Sequence, residues 1–154
     1  MTLIPVTTTK PEAVQRLLDH LQSLPPQRFE MGLWFTENPQ SGWNWSCGTS
    51  ACMAGWAAVI ELGEPPKDVS VCAITDWYAA HFDADFSGFA HLGRKLLGLD
   101  SSELFYTESW PKSLKRSGGR QAQLNGAVKL LQGLLAGKLF VDEHRILVLQ
   151  QAGG

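Results

Sequence analysis

The stretch "CGTSAC", residues 47–52, sets Cys47 and Cys52 five positions apart where a loop turns into an apolar run. A thiolate is both a nucleophile and a soft metal ligand, and each use demands partners. With Thr49 as a helix cap, Cys52 falls at the third helical position, where free amides and the helix dipole lower a thiol pKa. A thiol-dependent hydrolase or transferase would then use Cys52 or Cys47 with a histidine base, and His81 and His91 are the candidates. No recognisable catalytic motif holds His20, His81, His91 or His144, and the cysteine spacing does not match the C-G-[SA]-C-[WY] signature of papain-like proteases.

Zinc is the second chemistry to weigh. Cys47, Cys52, Cys72 and one histidine supply the right ligand types, but the paired CxxC or HxxxH spacing of zinc sites is missing. A disulfide between Cys47 and Cys52 is a further arrangement, set by whether the helix keeps their side chains apart. "DADFSGF" from Asp83 places Asp83, Asp85, Ser87 and Gly88 as in the opening of a calcium loop, yet Arg94 stands where the closing glutamate belongs. That stretch reads as a turn capping the next helix. The sequence therefore assigns no metal and no cofactor.

The third reading of the cysteines is structural. Residues from Ala51 to Ile60 are apolar on every side, so a helix there is buried. Ala51 with Gly55, and Ala54 with Ala58, put small side chains four apart and admit a close neighbour. Thr49 or Ser50 is the expected cap, and the two cysteines become small core fillers.

Other segments position this one. A first-turn proline and Val14, Leu17, Leu18 and Leu21 at helical spacing predict a helix over 10–23, capped by Thr9 and ended by Pro25 and Pro26. "RFEMGLWF" allows a short helix carrying Phe29, Leu33 and Trp34, and "TENPQSGWNWS" after it is a turn-rich loop. Val69, Ala73, Trp77 and Ala80 mark another helix. Phe89, Leu92, Leu96 and Leu97 mark the next, closed by Gly98 in a left-handed cap. Asp100 with Glu103 resembles a capping arrangement for a turn through Leu104 and Phe105. Leu124, Ala127, Leu130, Leu131, Leu134 and Leu135 form the clearest amphipathic pattern in the chain, and "RILVLQ" fits a helix or a strand.

These elements predict a mainly α fold, a single compact helical domain over 1–154 with long turn-rich loops and no repeat or linker. The length allows a sizeable core without staples. A net charge of -2 gives no field for phosphate backbones, so nucleic acid is disfavoured as a partner. The cluster Lys112, Lys115, Arg116 and Arg120 reads as a solvated loop. No apolar stretch is long enough for a membrane helix, the N-terminus lacks signal-peptide character, and three cysteines suit a reducing compartment. The expectation is a soluble, cytoplasmic protein of unknown oligomeric state.

Cys47, Gly48, Thr49, Cys52, Ala54, Gly55, Trp56 and Ala57 resemble the "CGTxxCxAGxA" core of a family of small uncharacterised bacterial and phage proteins. "FEMGLW", "LLGLDSSELFY" and "SWP" extend the likeness over residues 28 to 137. The resemblance implies a helical fold and brings no activity with it. Six tryptophans, weak charge and no convergent acid, base and nucleophile then favour a non-catalytic protein-interaction module. Its contact patch would draw on the exposed members of Trp34, Trp43, Trp45 and Trp110, and its partner would be another protein.

Overall fold

Pro11 opens the first helix, α1 (Pro11–Gln22), because a first turn leaves its amides unpaired and proline has none to lose. Ala13, Val14, Leu17, Leu18 and Leu21 recur at helical spacing and are all buried. Thr9 is not the cap. Lys10 holds that position without a side-chain bond, and the Lys10 amide donates to Thr8 Oγ1 at 2.9 Å. After α1, Pro26–Arg28 forms a 3-10 turn.

The computed structural model describes residues 2–29, 35–36, 50–64, 77–78, 80, 89–115 and 119–150. Trp34, Trp43, Trp45, Cys47, Cys72, His81 and the 83–88 turn lie outside them, as does most of the helix predicted around Trp77. Two short strands, β2 (Phe35–Thr36) and β3 (Ser50–Ala51), pair antiparallel, so Phe35 lies in a strand and not in a short helix.

The apolar helix begins later than its composition suggests. It is α2 (Met53–Leu62), and Cys52, not Thr49 or Ser50, is its N-cap. Met53 through Val59 are all buried, as expected of a helix without a polar face. Its most extensive helix partner is α3 (Phe89–Leu96). Gly93 explains how close they come: a β-carbon there would lie 3.0 Å from Ala54 Cβ and 2.8 Å from the Phe105 ring. The small-residue pattern is thus a seat for a neighbouring helix.

α3 ends in a left-handed glycine cap. Gly98 has φ +64, with Leu99 N donating to Arg94 O at 2.9 Å and Gly98 N to Lys95 O at 3.2 Å, the paired bonds of a Schellman motif. Thr9 N donates to Gly98 O at 2.9 Å, which stitches the approach to α1 onto this cap. Asp100 serves the same junction instead of capping the following turn, since Thr7 N and Oγ1 donate to its carboxylate. Glu103–Phe105 forms a 3-10 turn without a side-chain cap.

The chain continues through a short helix, α4 (Lys112–Lys115), to the long helix α5 (Gly119–Leu135). Lys112 and Lys115 therefore stand in a helix and not in a loop. In α5, Leu124, Gly126, Ala127, Leu130, Leu131 and Leu134 are buried, while Leu135 is only half-buried. Its outer face carries amides and few charges, and apolar and charged residues separate more sharply in α1 and α3. α1 packs on α5, and one apolar core joins α1, α2, α3 and α5.

The fold is mainly helical without being purely so. "RILVLQ" supplies a strand, β5 (Leu147–Leu149), paired antiparallel with β4 (Leu139–Val141), which pairs on its other side with β1 (Ile4–Pro5). In the β4–β5 turn, Asp142 Oδ1 accepts from His144 N at 2.8 Å and Ile146 N at 2.9 Å. Arg145 sits there at φ +64, a conformation disfavoured for a non-glycine residue, and its guanidinium is ion-paired with buried Glu103. The pair ties the hairpin to the turn before α4.

Candidate functional site

Cys52 is fully enclosed. Its Sγ accepts from Gly55 N at 3.4 Å and so caps α2. Burial pushes the thiol up to about 12, and the amides at Gly55 and Ala54 offset only part of that. The expected depression of its pKa is therefore reversed: at a capped but buried site, removing the thiolate from water outweighs what the helix dipole and amides return. Among the described residues no histidine bonds to it. His91 lies on α3 with its ring 3.4 Å from the Arg94 guanidinium, an arrangement within one helix that assembles no nucleophile and base. Cys52 and His91 do not form the predicted pair, and the alternatives built on Cys47, Cys72 or His81 fall outside the described residues.

Trp110 is buried too, which removes it from any contact patch. Its Nε1 donates to Leu104 O at 2.9 Å, and its ring lies against Gly126, where a β-carbon would come within 3.0 Å. Trp56 is likewise enclosed, donating to Arg28 O at 2.9 Å, with the Arg28 guanidinium 4.8 Å from the ring centroid. His20 leans on that ring at 4.8 Å and its buried Nε2 lacks a hydrogen-bond partner. Burial and then the Arg28 charge hold His20 below its usual pKa, against a weaker pull from Glu64. The cluster reads as packing.

Open space lies elsewhere, along α5. One groove of about 610 Å³ has Lys129, Gln132 and Gly133 of α5, with Ala136 just after it, as its floor. Pro111, Ser113 and Leu114 form one wall, and Leu147, Val148, Leu149 and Gln150 form the other. A second depression of about 430 Å³ shares Lys129 and Gln132 and continues to Leu21, Leu24 and Pro26 beside α1. Gln121, Asn125, Lys129, Gln132 and Ala136, three or four apart, are the exposed stripe between them.

All three β5 residues and Gln150 after them line one wall although successive strand side chains point to opposite faces, so the groove follows the edge of the strand. The hydrogen-bond register then decides what that edge presents. Gln150 N donates to Lys138 O and Asp142 N to Ile146 O, both at 2.9 Å, which makes Lys138/Gln150, Phe140/Val148 and Asp142/Ile146 the bonded pairs. Leu147 and Leu149 are in the alternate pairs. Their N–H and C=O groups therefore point away from β4 toward the groove, unpaired among the described residues. Leu149 reaches back over α5 where Gly133 leaves room; a β-carbon on Gly133 would collide with Leu149 Cδ2.

The other edge of the same sheet is treated differently. Val6 N donates to Leu139 O at 2.9 Å, so in β1 the residue whose nitrogen points outward is Pro5, opposite Phe140. A proline there deletes an outward donor without losing a ladder bond, a common protection of exposed edges. β5 carries no proline and no charge.

Sequence reasoning did not find this groove. Its strand was legible only as an apolar run of undecided type, and nothing in a run of three residues says which edge of a sheet it will occupy. Among the described residues no helix is long and apolar enough to cross a membrane, and no three metal-ligating side chains converge. The fold and groove define a mainly helical domain with a small antiparallel sheet. Compared with models of protein families, with curated proteins and with solved structures, the chain matches none of them.

Proposed function

We propose that this chain is a non-catalytic protein-interaction module whose contact surface is the groove between β5, α4 and α5. The observation that carries the reading is the unprotected β5 edge opening onto that groove, in a sheet whose other edge is closed by Pro5. A bare edge is an aggregation liability, and its retention beside a shaped groove fits use by a partner strand. The enclosed thiol of Cys52 supports the same reading by giving a thiol-dependent hydrolase or transferase no accessible nucleophile there. The family resemblance of the "CGTSAC" region adds no rival activity. We place the module in the cytoplasm of a bacterial or phage system, with nucleic acid disfavoured by net charge.

The test is site-specific photocrosslinking in the cells that make the protein. A benzophenone side chain at Gln132, on the groove floor, is expected to give a covalent protein adduct that the same group at exposed Glu12 on α1 does not. Adducts at neither position, or equally at both, would overturn the assignment.

A further inference from the structure

We infer that the β5 groove takes an extended, acidic peptide segment of a partner protein as an added strand. The inference rests on the interaction-module reading and names the chemistry of the partner. Three observations carry it.

The first is backbone supply. Leu147 and Leu149 present two N–H and two C=O groups outward, spaced as a strand requires, so main-chain bonds are available to any extended segment regardless of its side chains. A helix laid in the same groove would have no N–H or C=O to offer them.

The second is charge. Lys129 and Lys138 line the groove, and neither meets a carboxylate among the described residues. Among the described residues, no aspartate or glutamate lines this groove or the depression adjoining it. In a protein of net charge -2 this is a local field of the opposite sign, and it selects carboxylates on the incoming segment. A second copy of the chain is a poor occupant by the same measure, because pairing β5 with its own copy brings lysines toward lysines and supplies no acid from the groove.

The third is the mix of apolar and basic side chains along the groove. Leu114 and Leu149, both partly buried, give apolar contact, and exposed Lys129 and half-buried Lys138 give charge beside it. An extended segment that carries both apolar and acidic side chains finds a contact for each, and a charge on either of its two faces is within reach of a lysine.

The experiment titrates the isotope-labelled full chain with a blocked heptapeptide of alternating glutamate and valine, beginning and ending in glutamate. Two controls accompany it: the same peptide with lysine for glutamate, and the same peptide N-methylated at alternate residues. The amide resonances of Leu147 and Leu149 are followed. Saturable shifts at both amides are expected with the glutamate peptide, with affinity about tenfold above the lysine peptide and falling as salt is raised. N-methylation is expected to abolish the shifts, and the double variant Lys129→Glu, Lys138→Glu to invert the preference. Equal binding of the glutamate and lysine peptides at these amides would overturn the acidic partner while leaving the interaction groove intact. Shifts that survive N-methylation would overturn strand addition. No shift with any peptide, alongside a crosslink at Gln132, would overturn this inference and spare the module; absence of both would remove the module as well.

Discussion

The α2 region and the β5 groove teach opposite lessons about reactive-looking sequence. Around α2 the chain concentrates cysteine, tryptophan and small residues, and the fold spends them on packing: Cys52, Met53, Ala54, Trp56, Ala57 and Ala58 are all at or below 1% exposure. Around β5 the lining is mostly leucine, valine, lysine and glutamine, with no cysteine or histidine, and yet backbone groups unpaired among the described residues and an open groove meet there. Chemistry at a site depends on access and geometry as much as on side-chain identity. A thiol without water or a base is a filler, and a leucine amide without a partner is a binding group.

The largest effect that would break this contrast concerns Cys52. With its thiol raised from 9.0 to about 12, the thiolate fraction near neutral pH drops about a thousandfold on charge alone. Iodoacetamide is expected to label Cys52 only as fast as the protein unfolds globally, which peptide-level mass spectrometry after timed quenching would show. Rapid labelling of Cys52 in folded protein would return the α2 region to the list of sites.

Next is the α2–α3 contact. Gly93→Ala sets a methyl group against Ala54 and the Phe105 ring, neither of which is a flexible chain end, and is expected to cost about 1–3 kcal/mol in urea unfolding. A neutral or stabilising result would mean that the helices are looser than their geometry indicates.

Acid dependence separates the regions more finely. His20 has a folded pKa below 6.5, so its neutral form is the one the fold prefers; its contribution is complete above 6.5 and is lost as pH falls through that value. Glu103 behaves as a carboxylate held low. Burial by itself would raise it, but bonds from Ser101, its own backbone and Arg145 together outweigh burial, so its contribution is lost only below about 4.5. The urea midpoint is expected to fall in two stages on acidification. His20→Gln should remove the upper stage and Glu103→Gln should shrink the lower one.

The smallest expected effect sharpens the groove. Lys129→Glu, at an exposed position without an ion pair among the described residues, should move stability by no more than about 0.5 kcal/mol while weakening the acidic peptide. A large loss of stability would make Lys129 a structural residue.

Much of the helical framework was legible before any coordinates. Proline and leucine spacing located α1, the glycine after Leu97 marked the end of α3, and the leucine pattern of α5 named its buried face, because caps and periodicity are local and each residue reports on its own turn. The uniformly apolar run around Trp56 also showed that α2 is buried. Only the tertiary structure decided what those elements do to each other. It turned Asp100 from a cap into a tether for Thr7, placed Trp110 inside against Gly126, made Cys52 an enclosed cap, and set β5 at the bare edge of a sheet whose first strand lies near the opposite end of the chain. Desolvation, strand order and hydrogen-bond register depend on residues distant in sequence, so no local pattern records them.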